Sequence, residues 1–370
     1  TVRGQRNSIF AGYIQDDYRI RSNLTINLGV RYEMATVITE VNGKLANLRH
    51  LTDPVSTVGD PYWHNPTTKN FAPRVGFAWD PFKTGKTSVR GGFGMFDILP
   101  LPYLLGGRIV RAPPFFLQAN LSNPPASSFP NRIAPLLNLS TLGATMMEFE
   151  NPKRSYHMQW NLNIQRQLTR NLALTVGYVG SGGVHLIDVD EDFDVVPPTL
   201  VTFDAASASY RFPTTGTIQR INPNFGKIRS SFWDAHSSYH SLQTNLVQRP
   251  VRGLTYQLAY TWAKSIDDGS ITFTASESSN TIGKAYPFCL RCNRGLSDFN
   301  IPHNFVANFQ YDIPVLAAVK ANRAANTVLG GWQVGGIYTR QSGANFGLRL
   351  SSDRARTGTT AAASSTSGNE

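Results

Sequence analysis

Charge is scarce in this chain: Asp, Glu, Lys and Arg together make 16% of its 370 residues, against roughly 25% in a soluble domain. Long apolar runs are missing too. No segment reaches the ~18 consecutive apolar residues that identify a membrane helix, so a chain like this enters a bilayer only as strands, and strands cross only in closed barrels. Residues 1–7 lack the basic start, apolar run and cleavage site of a signal peptide. The expectation is that a leader has been removed or that the chain begins within a longer protein. Cysteine is limited to Cys289 and Cys292, and without a second pair a four-cysteine zinc site is excluded.

What is abundant points the same way. The chain holds 31 Gly, 22 Pro, 21 Phe, 14 Tyr and 6 Trp, a composition for many short strands joined by turns, with aromatics suited to membrane interfaces. Its net charge is +11 and its pI near 9.7. A basic balance raises nucleic acid as a partner, but Lys and Arg are scattered and no recognition-helix or RNP-like pattern occurs. Acidic lipid heads or anionic solutes are the expected counterparts.

Period-2 alternation is the dominant pattern. Leu24, Ile26, Leu28, Val30, Tyr32 and Met34 alternate with Thr25, Asn27, Gly29, Arg31 and Glu33. The pattern returns over residues 74–80, 88–95, 156–165, 172–178 and 254–262, and more weakly over 10–18, 242–248, 305–311 and 332–339. That predicts about ten strands, each near the ~9–11 residues of a tilted membrane strand. Lys, Arg, Asp and Glu are expected to stay off the apolar parity, where Arg or Lys at the lipid midplane costs ~2–4 kcal/mol. Arg31, Glu33, Arg74, Asp80 and Arg90 all take the other parity.

Connection lengths alternate between short and long. Short turns are expected at 21–23, 81–86, 167–171 and 249–253, and long links at 35–70, 97–154, 181–238 and 264–300. The 312–331 link is the exception, long where a short turn belongs. Short inner turns with long outer loops are the outer-membrane barrel pattern, whereas a soluble β-sandwich has the same parity but shorter loops. Tyr18, Trp79, Phe82 and Trp332 fall near the short-turn ends, as an aromatic girdle requires.

Several phrases then carry a resemblance. Phe10-Ala11-Gly12-Tyr13-Ile14-Gln15-Asp16-Asp17-Tyr18, followed by Leu24-Thr25-Ile26-Asn27-Leu28-Gly29-Val30-Arg31-Tyr32-Glu33, resembles TonB-dependent receptor barrels. Phe71-Ala72-Pro73-Arg74-Val75-Gly76-Phe77-Ala78-Trp79-Asp80, Val89-Arg90-Gly91-Gly92-Phe93-Gly94, Tyr260-Thr261-Trp262-Ala263-Lys264-Ser265 and Leu296-Ser297-Asp298-Phe299-Asn300 are similar to the Oar-like branch, whose members carry a carboxypeptidase-regulatory-like domain. The resemblance implies an energised importer with a plug inside a barrel of roughly twenty-two strands and a TonB box that engages the TonB complex through an N-terminal region. With about ten strands and no plug visible, it implies a fragment of a longer chain.

Candidate sites are few. Asp188, Asp190 and Asp192, within the acidic run 188–194, offer the oxygen density that Ca²⁺ wants. Against that, Phe193 and Thr199 stand where an EF-hand has its glycine and bidentate glutamate, which favours a solvated acidic loop or lumen lining. Cys289 and Cys292 are expected to form a loop disulfide rather than a redox motif or half a zinc site. His157, His185, His236, His240 and His303 show no nucleophile-elbow spacing with Ser and Asp. The glycine clusters 91–94 and 180–183 lack a following helix and Lys-Ser or Lys-Thr, so they are strand kinks or a loop entrance. The loop aromatics Tyr62, Trp63, Tyr103, Phe115, Phe116, Phe232 and Trp233 either stack on a ligand or pack the loops together.

The fold expected is all-β: part of an antiparallel, up-and-down transmembrane β-barrel with long extracellular loops over residues 1–350, then a low-complexity loop or tail at 351–370. The function expected is a receptor and transporter, not an enzyme, in the outer membrane of a Gram-negative bacterium. It would bind a solute such as a carbohydrate or peptide and contact outer-membrane lipid, without nucleic acid or a cofactor. A structural or adhesive surface barrel and a secreted all-β enzyme are the alternatives.

Overall fold

The computed structural model describes residues 2–65, 68–101, 109–117, 125, 143–190, 192–207, 209–270, 286–343, 345 and 356–358. Ten long strands follow one another along a single antiparallel path: β1 (Ile9–Arg21), β2 (Leu24–Ala35), β3 (Phe71–Trp79), β4 (Thr87–Asp97), β5 (Tyr156–Gln167), β6 (Leu172–Asp190), β7 (Lys227–Val251), β8 (Leu254–Asp267), β9 (His303–Asp312) and β10 (Gln333–Gln341). Each pairs with its neighbours in sequence, and β1 and β10 are not paired with each other. The sheet is an open section of barrel wall.

Register shows what the alternation is for. One row of directly opposed residues crosses nine strands as Tyr18, Ile26, Phe77, Gly91, Leu162, Tyr178, Leu242, Trp262 and His303. The row on the opposite face crosses all ten as Arg19, Thr25, Ala78, Arg90, Asn163, Gly177, Gln243, Thr261, Asn304 and Gln341. The second row holds no apolar side chain larger than Ala. The first row begins three residues from the inner end of β1 and finishes at the outer end of β9, so the strands tilt, as closure into a barrel demands. Trp160 lies over Gly180 and Phe77 over Gly91, leaving no space for a Cβ at either glycine; both glycine clusters are strand interior.

Asp16 departs from the expected parity. It lies opposite Leu28 on the apolar face, whereas Asp17 turns to the polar face and accepts from Asn27 Nδ2 at 2.5 Å. A carboxylate on lipid costs less than a guanidinium there.

The turns explain the registers. β7 and β8 are joined by Arg252 and Gly253, both at positive φ (50° and 84°), the backbone of a type I′ hairpin turn, which glycine favours. The 313–332 link is filled by two short helices, α1 (Ala317–Ala321) and α2 (Arg323–Leu329), the second capped by the Asn322 side chain. Of the long links, 181–238 is shorter than expected. β6 runs on to Asp190 and β7 starts at Lys227, because beyond the bilayer pairing continues without any need for an apolar face.

The two faces predict opposite tolerance. Leu162→Arg should cost ~2–4 kcal/mol in vesicle-embedded protein, while Gln159→Arg on the polar face should change stability by less than about 0.5 kcal/mol. Denaturant unfolding in lipid vesicles measures both, and equal costs would mean that the faces are misassigned.

Candidate functional site

All four long links leave the same end of the sheet, and their described residues build a platform there. Its frame is the outer half of the β6–β7 hairpin, to which Gly143–Met147 adds a parallel strand along Lys227 to Ser231. Ile38, Leu45, Tyr62, Trp63, Ile109, Met147 and Trp233 form one buried cluster, and Leu48, Ala144, Met146, Phe225 and Ile228 a second. Burial of such side chains contributes ~1.5–3 kcal/mol each, enough to hold long loops in one arrangement. Asn47 ties the links together: its Nδ2 donates to Tyr62 O (3.1 Å) and Met147 O (2.9 Å), and its Oδ1 accepts from Met147 N (2.7 Å).

Three ionic devices brace the platform. Arg220 Nη2 donates to both oxygens of Asp192 at 2.8 Å, and its Nε reaches Asp194 at 3.3 Å. Burial pushes both carboxyls above their usual range, and the Arg220 charge, together with the backbone N–H of Asn222 at Asp194, offsets this. Glu40 runs the other way. Backbone N–H groups of Gly4 (2.7 Å), Lys44 (2.7 Å) and Asn42 (2.9 Å) hold its carboxyl below the usual range. At the rim, Arg154 grips Asp97 through two bonds (2.6 and 3.0 Å) and donates to Phe71 O at 2.9 Å, fixing where the second long link returns.

The acidic run lies at the end of β6 rather than within a loop. Asp188 is buried, and Asp192 is engaged by Arg220 and the Ile228 N–H. Among the described residues no three His, Cys, Asp or Glu side chains converge to hold a metal ion; the Asp190 side chain and Glu191 lie outside them. Cys289 and Cys292 are joined across a short 3₁₀ turn with Cα atoms 5.3 Å apart, and Tyr210 Oη donates to Cys289 Sγ at 3.3 Å. Around this turn Tyr286, Phe288, Phe193 and Phe232 meet in series, edge-on or tilted, and burial pushes the Tyr286 hydroxyl up to about 12.

Of the loop aromatics, Tyr62, Trp63 and Trp233 are interior to the platform, Phe115 lies under the Arg3 guanidinium, and Phe116 is exposed. Tyr103 lies outside the described residues, as does 351–370 except for 356–358. There Arg356 donates to Thr214 O and Thr357 O accepts from Val196 N. His240 and His303 each share a hydrogen bond with a tyrosine hydroxyl, Tyr178 (2.7 Å) and Tyr260 (2.8 Å), on the apolar face. The phrases 260–265 and 296–300 meet in space: Ser265 and Ser297 hydroxyls are 2.9 Å apart and Asn300 Oδ1 accepts from Ser265 N at 2.8 Å.

Below the platform, the polar face forms the inner wall. Near the short turns Arg90, Arg170, Arg249, Gln165 and Asn245 surround a hollow of about 410 Å³. Its guanidinium and amide groups are hydrogen-bond donors of the kind that suits polar or anionic groups. Arg220, Asn47 and Asn222 were not singled out by sequence, since nothing local marks a side chain whose partners lie in distant loops.

Arg220→Ala should cost about 3–5 kcal/mol of local stability at neutral pH, because it leaves buried carboxylates without a counter-charge. Since the folded-state pKa values of Asp192 and Asp194 are raised, the stability they contribute is present below the usual carboxylate range and is lost as pH rises through the raised values. The penalty of the substitution therefore shrinks on acidification. Glu40, with a lowered value, contributes above the usual range and loses that contribution as pH falls through it. Amide exchange at Asn222 and Ile228, whose N–H groups bond the two aspartates, reads the first effect; unchanged protection in the variant would contradict it.

Among curated proteins none matches the chain. Among solved structures, the outer membrane transporter YddB from Escherichia coli is similar at 13% identity, with 82% of this chain covering 31% of that one and a TM-score of 0.43. The siderophore receptor PirA from Acinetobacter baumannii is similar at 11% identity, 90% and 38% coverage and a TM-score of 0.43. The alcaligin receptor FauA from Bordetella pertussis is similar at 10% identity, 91% and 38% coverage and a TM-score of 0.41. The chain thus spans about a third of the length of these structures. A family profile described as the outer membrane beta barrel domain matches residues 1–370. The chain therefore belongs to the outer membrane beta barrel domain family, and its place is the outer membrane of a Gram-negative bacterium.

Proposed function

We propose that this chain is barrel wall and outer platform of an energised, TonB-dependent receptor of the Oar-like branch, which catches a solute with its outer loops and passes it inward. The observation that carries the reading is the pairing of a consolidated outer platform with an inner wall of amides and guanidinium groups. A surface adhesin needs the first and not the second. The inner wall favours a polar or anionic solute, carbohydrate or peptide, held by hydrogen bonds and released without covalent chemistry. Energy enters through the TonB complex, engaged by an N-terminal region. A Ca²⁺ ion at Asp188, Asp190 and Asp192 would require Arg220 to leave Asp192, so the reading makes no use of one.

The test is uptake by cells making the intact protein, with fluorescein-labelled maltoheptaose and a labelled acidic decapeptide as probes. Entry of at least one probe that depends on the protein and is abolished by a protonophore is expected. Surface binding with no protonophore-sensitive entry would favour the structural or adhesive alternative. Replacing Arg90 and Arg170 together by Gln should slow entry of the acidic peptide about tenfold, by weakening electrostatic attraction into the lumen, and leave the neutral sugar unaffected.

A further inference from the structure

A groove of about 450 Å³ opens on the apolar, lipid-facing side of the sheet, between the middle of β7, the outer part of β8 and the 296–302 segment. Leu242, Trp262 and Leu296 wall it, and all three remain well exposed. The register that puts Leu242 opposite Trp262 puts His240 opposite Lys264 one step further out, so an apolar trough ends in two nitrogen-bearing side chains on neighbouring strands.

Height gives this end its meaning. Lys264 stands ten residues above Leu254, the first residue after the tight inner turn. At ~3.3 Å per residue and a strand tilt of 35–45°, that is roughly 25 Å, the height of the apolar band of an outer-membrane barrel. Trp262, Tyr260 and His303 therefore lie in the outer aromatic girdle, and Lys264 at headgroup level. Two nearby acids, Asp267 and Asp268, are committed elsewhere: Asp267 accepts from the Ser270 hydroxyl, and Asp268 from Arg294 and the His236 N–H. Among the described residues Lys264 has no ion-pair partner. Its exposed ammonium is open to an anionic group.

His240 is oriented for the same task. Tyr178 Oη lies 2.7 Å from His240 Nδ1 and stacks its ring on the imidazole, while Trp160 Nε1 donates to Tyr178 Oη at 3.3 Å. In the tautomer whose Nδ1 accepts from Tyr178, the ring proton sits on Nε2, where it is a donor to an anion.

We propose that this groove seats an outer-leaflet lipid whose phosphorylated headgroup carries a net negative charge, as a zwitterionic phospholipid headgroup does not. The phosphate lies against the Lys264 ammonium and the His240 imidazole, and one acyl chain lies along Leu242, Trp262 and Leu296. Charge complementarity selects this occupant: a neutral lipid fills the trough and leaves Lys264 unanswered, and a free anion meets Lys264 and leaves the trough empty.

The experiment is native mass spectrometry of the intact protein in detergent, with diphosphoryl lipid A, phosphatidylcholine and inorganic phosphate as probes. Lipid A should be retained in preference to phosphatidylcholine, and Lys264→Gln should lower its binding about fivefold, the worth of one lysine at an anionic surface. Lys264→Arg should restore it, and His240→Gln should lower it by a smaller factor. Heat-modifiable gel mobility checks that every variant still folds. Equal retention of lipid A and phosphatidylcholine, or wild-type binding by Lys264→Gln, overturns the proposal. Displacement of lipid A by inorganic phosphate at the same phosphate concentration overturns the acyl-chain seat.

Discussion

Inside hydrocarbon no water is available to satisfy a backbone N–H or C=O, and each such group left alone costs several kcal/mol. The uninterrupted ladder from β1 to β10 answers that demand, and most other features follow from it. Once all backbone groups are paired between strands, side chains must point alternately to the two faces. One face then meets lipid and the other an aqueous interior, so residue type is sorted by parity. Among the described residues β1 and β10 are each paired on one side, and barrel closure asks for a neighbour at both edges.

Where water returns, the rules change. Outside the bilayer the β6–β7 hairpin keeps pairing but drops strict alternation, because both of its faces can be covered by loops or wetted. Charges are admitted there if they are answered: Asp192 and Asp194 by Arg220, Glu40 by three backbone N–H groups, Asp97 by Arg154. These contacts join segments far apart in sequence, and they turn long connections into a platform with apolar clusters of its own. Loops held in this way spend no affinity on their own ordering when a partner binds.

Alternation made the strands legible. Residues 24–34 and 156–165 announce their faces without ambiguity, and the short turns at 21–23 and 249–253 fall where the hairpins close. Legibility failed where lipid stops imposing a pattern. Residues 181–190 and 227–238 carry no clean period, so a loop was expected where the strands continue. It failed also at Asp16, whose place on the apolar face is set by its pairing opposite Leu28. The phrases 260–265 and 296–300 were recognisable as words, but nothing in them announced that Asn300 would bond back to Ser265.

By itself the amino-acid order determined that this chain is made of membrane strands, which residues of each strand share a face, and which connections are long. Those properties are local, since a period of two and a turn residue act within a few positions. Tertiary structure alone decided how the strands stagger, how Arg220 comes between two aspartates, and how Lys264 and His240 end one groove on the lipid side. Each depends on the register between strands and on loops returning from a distance, and backbone pairing sets that geometry across the whole sheet.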